Sequence, residues 1–130
     1  MNKGITCIVL FALLIGIVCF EQIYVNTTIA SFLDRIETVN AAMLEEEENV
    51  DGEKIKLKFF EMKDYWKEKE NYLTLFIDHK DIREIGQSIS RLEGGIMEND
   101  RVQVHAEIRL LSDYTKTYQK LVSFRWENIL

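Results

Sequence analysis

Residues 25–43, VNTTIASFLDRIETVNAAM, decide the fold. Val25, Ile29, Phe32, Ile36, Val39 and Met43 alternate spacings of four and three, which sets all six on one face of an α-helix. Nothing upstream between Phe20 and Val25 breaks a helix, so the simplest reading is one continuous helix from about Ile5 to the mid-forties, on the order of 60 Å long. The seam can zip against a second copy, giving a homo-oligomer, or pack on later helices of the same chain. Packing within the chain is favoured, because the later helices also carry seams that need cover. The chain has no proline and only six glycines, so the usual breakers are scarce. An all-β domain would need far more turn chemistry.

Downstream, Glu45 to Glu48 followed by Asn49, Val50, Asp51 and Gly52 marks the first boundary, with Asp51 as a candidate N-cap. The four carboxylates read as a solvated turn in preference to a cation or basic-partner site, and no EF-hand loop is present. A second helix is expected from about Glu53 to Ile77, carried by Ile55, Phe59, Met62, Trp66, Leu73 and Phe76. A third runs from about Asp81 to Met97 through Ile82, Ile85, Ile89, Leu92 and Ile96, with Asp81 and Glu84 at capping-box spacing. Its weakest point is Gly94-Gly95, where it could end early, since two adjacent glycines cost about 2 kcal/mol inside a helix. Glu98-Asn99-Asp100 is the next turn, with Asp100 as N-cap. A fourth helix covers about Arg101 to Val122, and the tail Phe124 to Leu130 is apolar enough to dock on the rest. Short connections imply antiparallel neighbours. The expectation is an all-α chain, an N-terminal transmembrane helix continuing into an antiparallel up-down bundle.

The N-terminal block Ile5–Phe20, ITCIVLFALLIGIVCF, holds sixteen residues without a charge between Lys3 and Glu21. As a helix it spans about 24 Å, slightly short of a ~30 Å hydrocarbon core. Lys3 can snorkel outward at one end while Tyr24 suits the interface at the other. Three alternatives compete with an anchor. A cleaved signal peptide would use Thr28-Ile29-Ala30, but Ile23, Tyr24 and Val25 make the approach long and apolar. A lipoprotein would modify Cys19, yet Val18 stands where a small residue is required. An ordinary buried helix would find too little protein to hide in. The anchor is the expected reading, with residues 1–24 as membrane segment and 25–130 as a helical domain outside. Positive charge confined to the N-terminal side predicts a cytoplasmic N-terminus.

Lys3 and Glu21 are the only charged residues among the first thirty, so the net charge of −6 belongs to the remainder. Such a domain is a poor candidate for nucleic acid or for lying flat on anionic lipid. Both cysteines, Cys7 and Cys19, sit in the apolar block, which leaves the domain no disulfide and no thiol ligand.

Trp66-Lys67-Glu68-Lys69, then Leu73, then Phe76-Ile77-Asp78-His79, the isoleucine series Ile82, Ile85, Ile89 and Ile96 with Leu92, and the ending Asn128-Ile129-Leu130 together resemble the family catalogued as domain of unknown function 4363. The resemblance extends over nearly the whole chain, apolar segment included. It implies an envelope protein of spore-forming Gram-positive bacteria with an outward domain, and it implies no activity. The four-glutamate run and Gly94-Gly95 have no counterpart in it.

The residues singled out for interaction or bending are Trp66, His79, Asp81 and Trp126. His79 lies between Asp78 and Asp81 at a helix junction, where an imidazole could sense pH or join Asp78, Asp81 and Glu84 around a metal; a histidine capping a helix end is the plainer account. His105 belongs to no metal-ligand spacing. Trp66, Tyr65, Tyr72 and Phe76 could line a pocket, although aromatics at helical spacing more often fill a core. Ser88, Ser90, Ser112 and Ser123 stand in helical pattern without a nucleophile elbow, and no phosphate loop exists. No catalytic residue, metal or cofactor is expected. The leading expectation is a non-enzymatic membrane-anchored module that binds a protein partner, with another membrane protein among the candidates. The alternative is a small-ligand or ion sensor with a pocket near Trp66 and His79.

Overall fold

The structure, a computed structural model, describes residues 2–46 and 49–129, with side chains through Val122. Four helices make it up, and no strand occurs among the described residues: α1 (Lys3–Glu45), α2 (Glu53–Leu73), α3 (His79–Met97) and α4 (Arg101–Ile129). The 43 residues of α1 extend about 65 Å. Asn2 starts it by accepting a hydrogen bond from the Gly4 amide at 3.1 Å. α1 packs against α2 on one side and α4 on the other, α3 packs on α4, and α2 and α3 touch least. The helices run up and down as expected. Ser112 and Lys116 of α4 meet Glu37 of α1, while Val122, further along α4, is reached by Gln22.

Burial on α1 begins at Val25. The six seam residues from Val25 to Met43 are all buried, together with Thr28 and Ala42. The chain's own helices cover the seam, the arrangement favoured over pairing with a second copy. Phe32 meets Trp66 of α2 with ring centroids 4.9 Å apart, a tilted aromatic pair near the middle of the core. Ile85, Ile89, Leu92 and Ile96 of α3 and Val104, Ile108 and Leu111 of α4 complete it. Thr115 is fully buried and donates its hydroxyl hydrogen to the Leu111 carbonyl at 2.7 Å, which satisfies it within its own helix.

Three boundaries depart from the sequence expectation. α2 stops at Leu73, four residues short of Ile77. The Thr74 hydroxyl donates to the Asn71 carbonyl at 2.6 Å, and the Phe76 and Ile77 amides both turn back to Leu73 O. This tightened turn brings Leu73 and Ile77 into the core together. α3 begins at His79, because Asp78 and not Asp81 is the cap: its carboxylate accepts from the Lys80 amide at 2.9 Å. α4 continues past Val122 to Ile129 as backbone helix, so the stretch read as a docked tail belongs to the helix; side chains from Ser123 onward, Trp126 among them, lie outside the described residues.

Gly94-Gly95 does not break α3. Gly94 faces open space, but a Cβ on Gly95 would come within 2.9 Å of Val104 Cγ2. The second glycine is what lets α3 and α4 approach so closely. α3 then ends in a Schellman turn, with Asp100 N bonded to Gly95 O at 2.8 Å and Asn99 in the left-handed region at φ 53°. Asp100 caps α4 as expected, accepting from the Gln103 amide at 3.1 Å.

Candidate functional site

Two ends of the bundle differ in chemistry. At one end lie the α1–α2 and α3–α4 connections, tied by Asn99. Its side-chain oxygen accepts from the Val50 amide at 2.8 Å and its side-chain amide donates to Asn49 Oδ1 at 3.1 Å. Both connections are acidic, with Glu45, Glu46 and Asp51 in one and Glu98 and Asp100 in the other. Lys54 pairs with Glu45 there.

At the opposite end, α1 leaves the bundle as a bare apolar rod. Among the described residues one helix, α1, is long and apolar enough to cross a membrane, and no part of its apolar window is buried. Phe11 is 66% exposed and Phe20 70%. Where the rod enters the bundle, Phe20 stacks on Tyr24 at 6.3 Å, and Tyr24 meets the edge of Phe76 at 6.3 Å. Phe76 belongs to the α2–α3 connection, so that turn sits beside the exit of the rod. Its middle three residues, Leu75, Phe76 and Ile77, are apolar, and Leu75 is 75% exposed.

The sequence candidates fall in separate places. Trp66 is a core residue, 2% exposed, and its indole N–H has no hydrogen-bond partner. An unpaired buried donor of this kind costs about 1–3 kcal/mol. His79 is exposed on the first turn of α3. Asp81 lies in that turn but reaches across to α4, where it accepts the Tyr114 hydroxyl hydrogen at 2.5 Å. Burial, then the hydrogen bond and charge of Asp81, push the Tyr114 phenol well above its ordinary range. Asp78 and Asp81 are thus engaged in capping and in an interhelical tie. Among the described residues no group of three His, Cys, Asp or Glu side chains is placed to hold a metal ion.

Three surface clefts are lined by neither Trp66 nor His79. One of about 560 Å³ opens between α1 and α4, among Asn40, Leu44, His105, Arg109, Asp113 and Lys116. Glu37 on its wall is engaged, accepting from Ser112 at 2.9 Å and lying 3.6 Å from Lys116. A second, about 290 Å³, lies between α3 and α4 beside Tyr114. Its neighbouring carboxylate, Glu107, holds Arg91 at 2.8 Å and Ser88 at 3.2 Å. The third, about 500 Å³, is shallow and lies by Ile82 and Arg83. Among the described side chains, no hydrogen bond joins Ser88, Ser90 or Ser112 to a histidine; Ser88 and Ser112 both donate to carboxylates, and the Ser123 side chain lies outside the described residues. The ties with no sequence signal are those of Asn99, Gly95 and Tyr114, each depending on where two distant elements meet.

Comparison with curated proteins and with solved structures gives no match. Residues 19–129 match a family model described as Domain of unknown function (DUF4363), a match that takes in the whole bundle and leaves the apolar block before Cys19 outside it. The chain belongs to that family.

Proposed function

We propose that the protein is a non-enzymatic, membrane-anchored module, whose α1 crosses the bilayer with Ile5–Phe20 and carries the bundle outside the cell as a docking domain for a protein partner. One observation carries this reading: the first part of α1 is a continuous apolar helix that the bundle leaves uncovered. A bare apolar surface of this size in water would drive aggregation, whereas in lipid it has its proper solvent. Lys3 before the span, with no Lys or Arg after it until Arg35, favours an inward N-terminus. The partner is assigned to the α1–α4 cleft, whose mixture of Leu44 with paired and unpaired charges suits a polar-rimmed protein contact.

Protease added to intact cells tests the placement. The bundle should be digested without lysis, while a cytoplasmic marker survives. Protection of the bundle until lysis would remove the outward assignment. A photo-crosslinking residue at Arg109 should trap a discrete adduct that the same residue at Lys67, on exposed α2, does not. Identical patterns from both positions would remove the cleft assignment.

A further inference from the structure

We propose that the bundle does not stand clear of the membrane on a stalk but rests on it, with the α2–α3 turn inserted into the headgroup layer as a second lipid contact. This rests on the anchor reading above.

The connection Thr74-Leu75-Phe76-Ile77-Asp78 carries three consecutive large apolar residues between a threonine and the capping aspartate. Leu73 and Ile77 point into the core, while Leu75 and Tyr72 are 75% and 60% exposed. Turns over water carry Gly, Asn, Asp and Ser, as the connections at the other end of this bundle do. Here Leu75 in the connection and Tyr72 in the last turn of α2 are offered to solvent. Their height fixes what they meet. Phe76 touches Tyr24, and Tyr24 is one helical turn, about 6 Å, beyond Phe20, the end of the uncharged stretch. The interfacial layer outside the hydrocarbon is about 5–8 Å deep on each side, so the turn falls within it.

Two further features agree. Phe20, exposed and stacked on Tyr24, continues the apolar surface from the rod to the turn through the contact of Tyr24 with Phe76. The Gln22 side chain donates to the Val122 carbonyl at 3.1 Å, so the last described side chains of α4 lie at the same end of the bundle as the turn. Tyrosine at 72 and 24, with Asp78, His79 and Lys80 exposed at the rim, is the composition that interfaces accept: apolar bodies below, polar tips above. Asp78 is the one carboxylate in this connection, and the more acidic connections lie at the far end.

The test uses the full chain in phosphatidylcholine and phosphatidylglycerol vesicles, with Cys7 and Cys19 replaced by serine and a nitroxide on a single introduced cysteine. Leu14→Cys reports the span, Leu75→Cys and Tyr72→Cys the turn, and Val102→Cys the far end. All four positions are exposed, so the labels do not disturb the core. Collision with oxygen, which concentrates in lipid, is compared with collision with a water-soluble nickel complex. The oxygen-to-nickel ratio at 75 and 72 should exceed that at 102 by several fold and fall below that at 14. A ratio at 75 and 72 equal to that at 102, with 14 still lipid-like, overturns the resting contact and leaves the anchor standing. A water-like ratio at 14 overturns both.

Discussion

Asn99 holds the far end of the bundle together with one residue's worth of chemistry. Its left-handed backbone closes α3, and its side chain bonds Val50 and Asn49 in the α1–α2 connection. Asn99→Gly keeps the conformation and loses the two bonds, which should cost about 1–2 kcal/mol; Asn99→Ala adds left-handed strain of about 1 kcal/mol more. Urea unfolding midpoints in detergent would rank them. The two glycines of α3 should respond with opposite signs. Gly94→Ala adds helix propensity into open space and should stabilise by about 0.5–1 kcal/mol. Gly95→Ala drives a methyl into stiff Val104 and should destabilise by about 1–3 kcal/mol. Tyr114→Phe removes a charge-assisted hydrogen bond to Asp81 and should cost about 1.5–3 kcal/mol near neutrality. The tie also has a pH signature. A phenol whose folded pKa is raised contributes stability that is fully present below its unfolded value near 10 and is lost as pH rises above it. Unfolding midpoints measured from pH 8 to 12 should therefore fall above pH 10 more steeply in the native protein than in Tyr114→Phe.

α1 is one helix with two independent halves. Among the described residues the tertiary contacts of α1 begin at Gln22 and Tyr24 and the buried seam at Val25, so a break in the seam should act on the bundle and a break well before Gln22 should not. Ala30→Pro changes an exposed side chain but removes a backbone bond inside the seam, and should cost about 3 kcal/mol. Leu14→Pro should leave the bundle's unfolding midpoint where it was; a matching loss from both would contradict the division. The seams themselves were legible in the sequence, because each core residue of α1 recurs at helical spacing and no glycine or proline interrupts. The ends were less so. Asp78 and Asp81 are three residues apart and either can cap a helix, and only the burial of Ile77 beside Leu73 selects the first. Gly94-Gly95 looked like a weak point because propensity is local, whereas the close approach of Val104 is not. Trp66 and His79 were legible as unusual residues but not as neighbours: one fills the core and the other faces solvent.

The whole molecule is polarised along its long axis, from a bare apolar rod through an aromatic junction to a capped and acidic far end. This gradient is what a bilayer would orient, and it gives every surface residue a height above the membrane. The rod is the part on which the account depends, and alkaline carbonate extraction of membranes from cells making the full chain tests it most directly. Retention of the chain in the pellet, like an integral membrane protein, is the predicted result. Release into the supernatant with the peripheral proteins would contradict it.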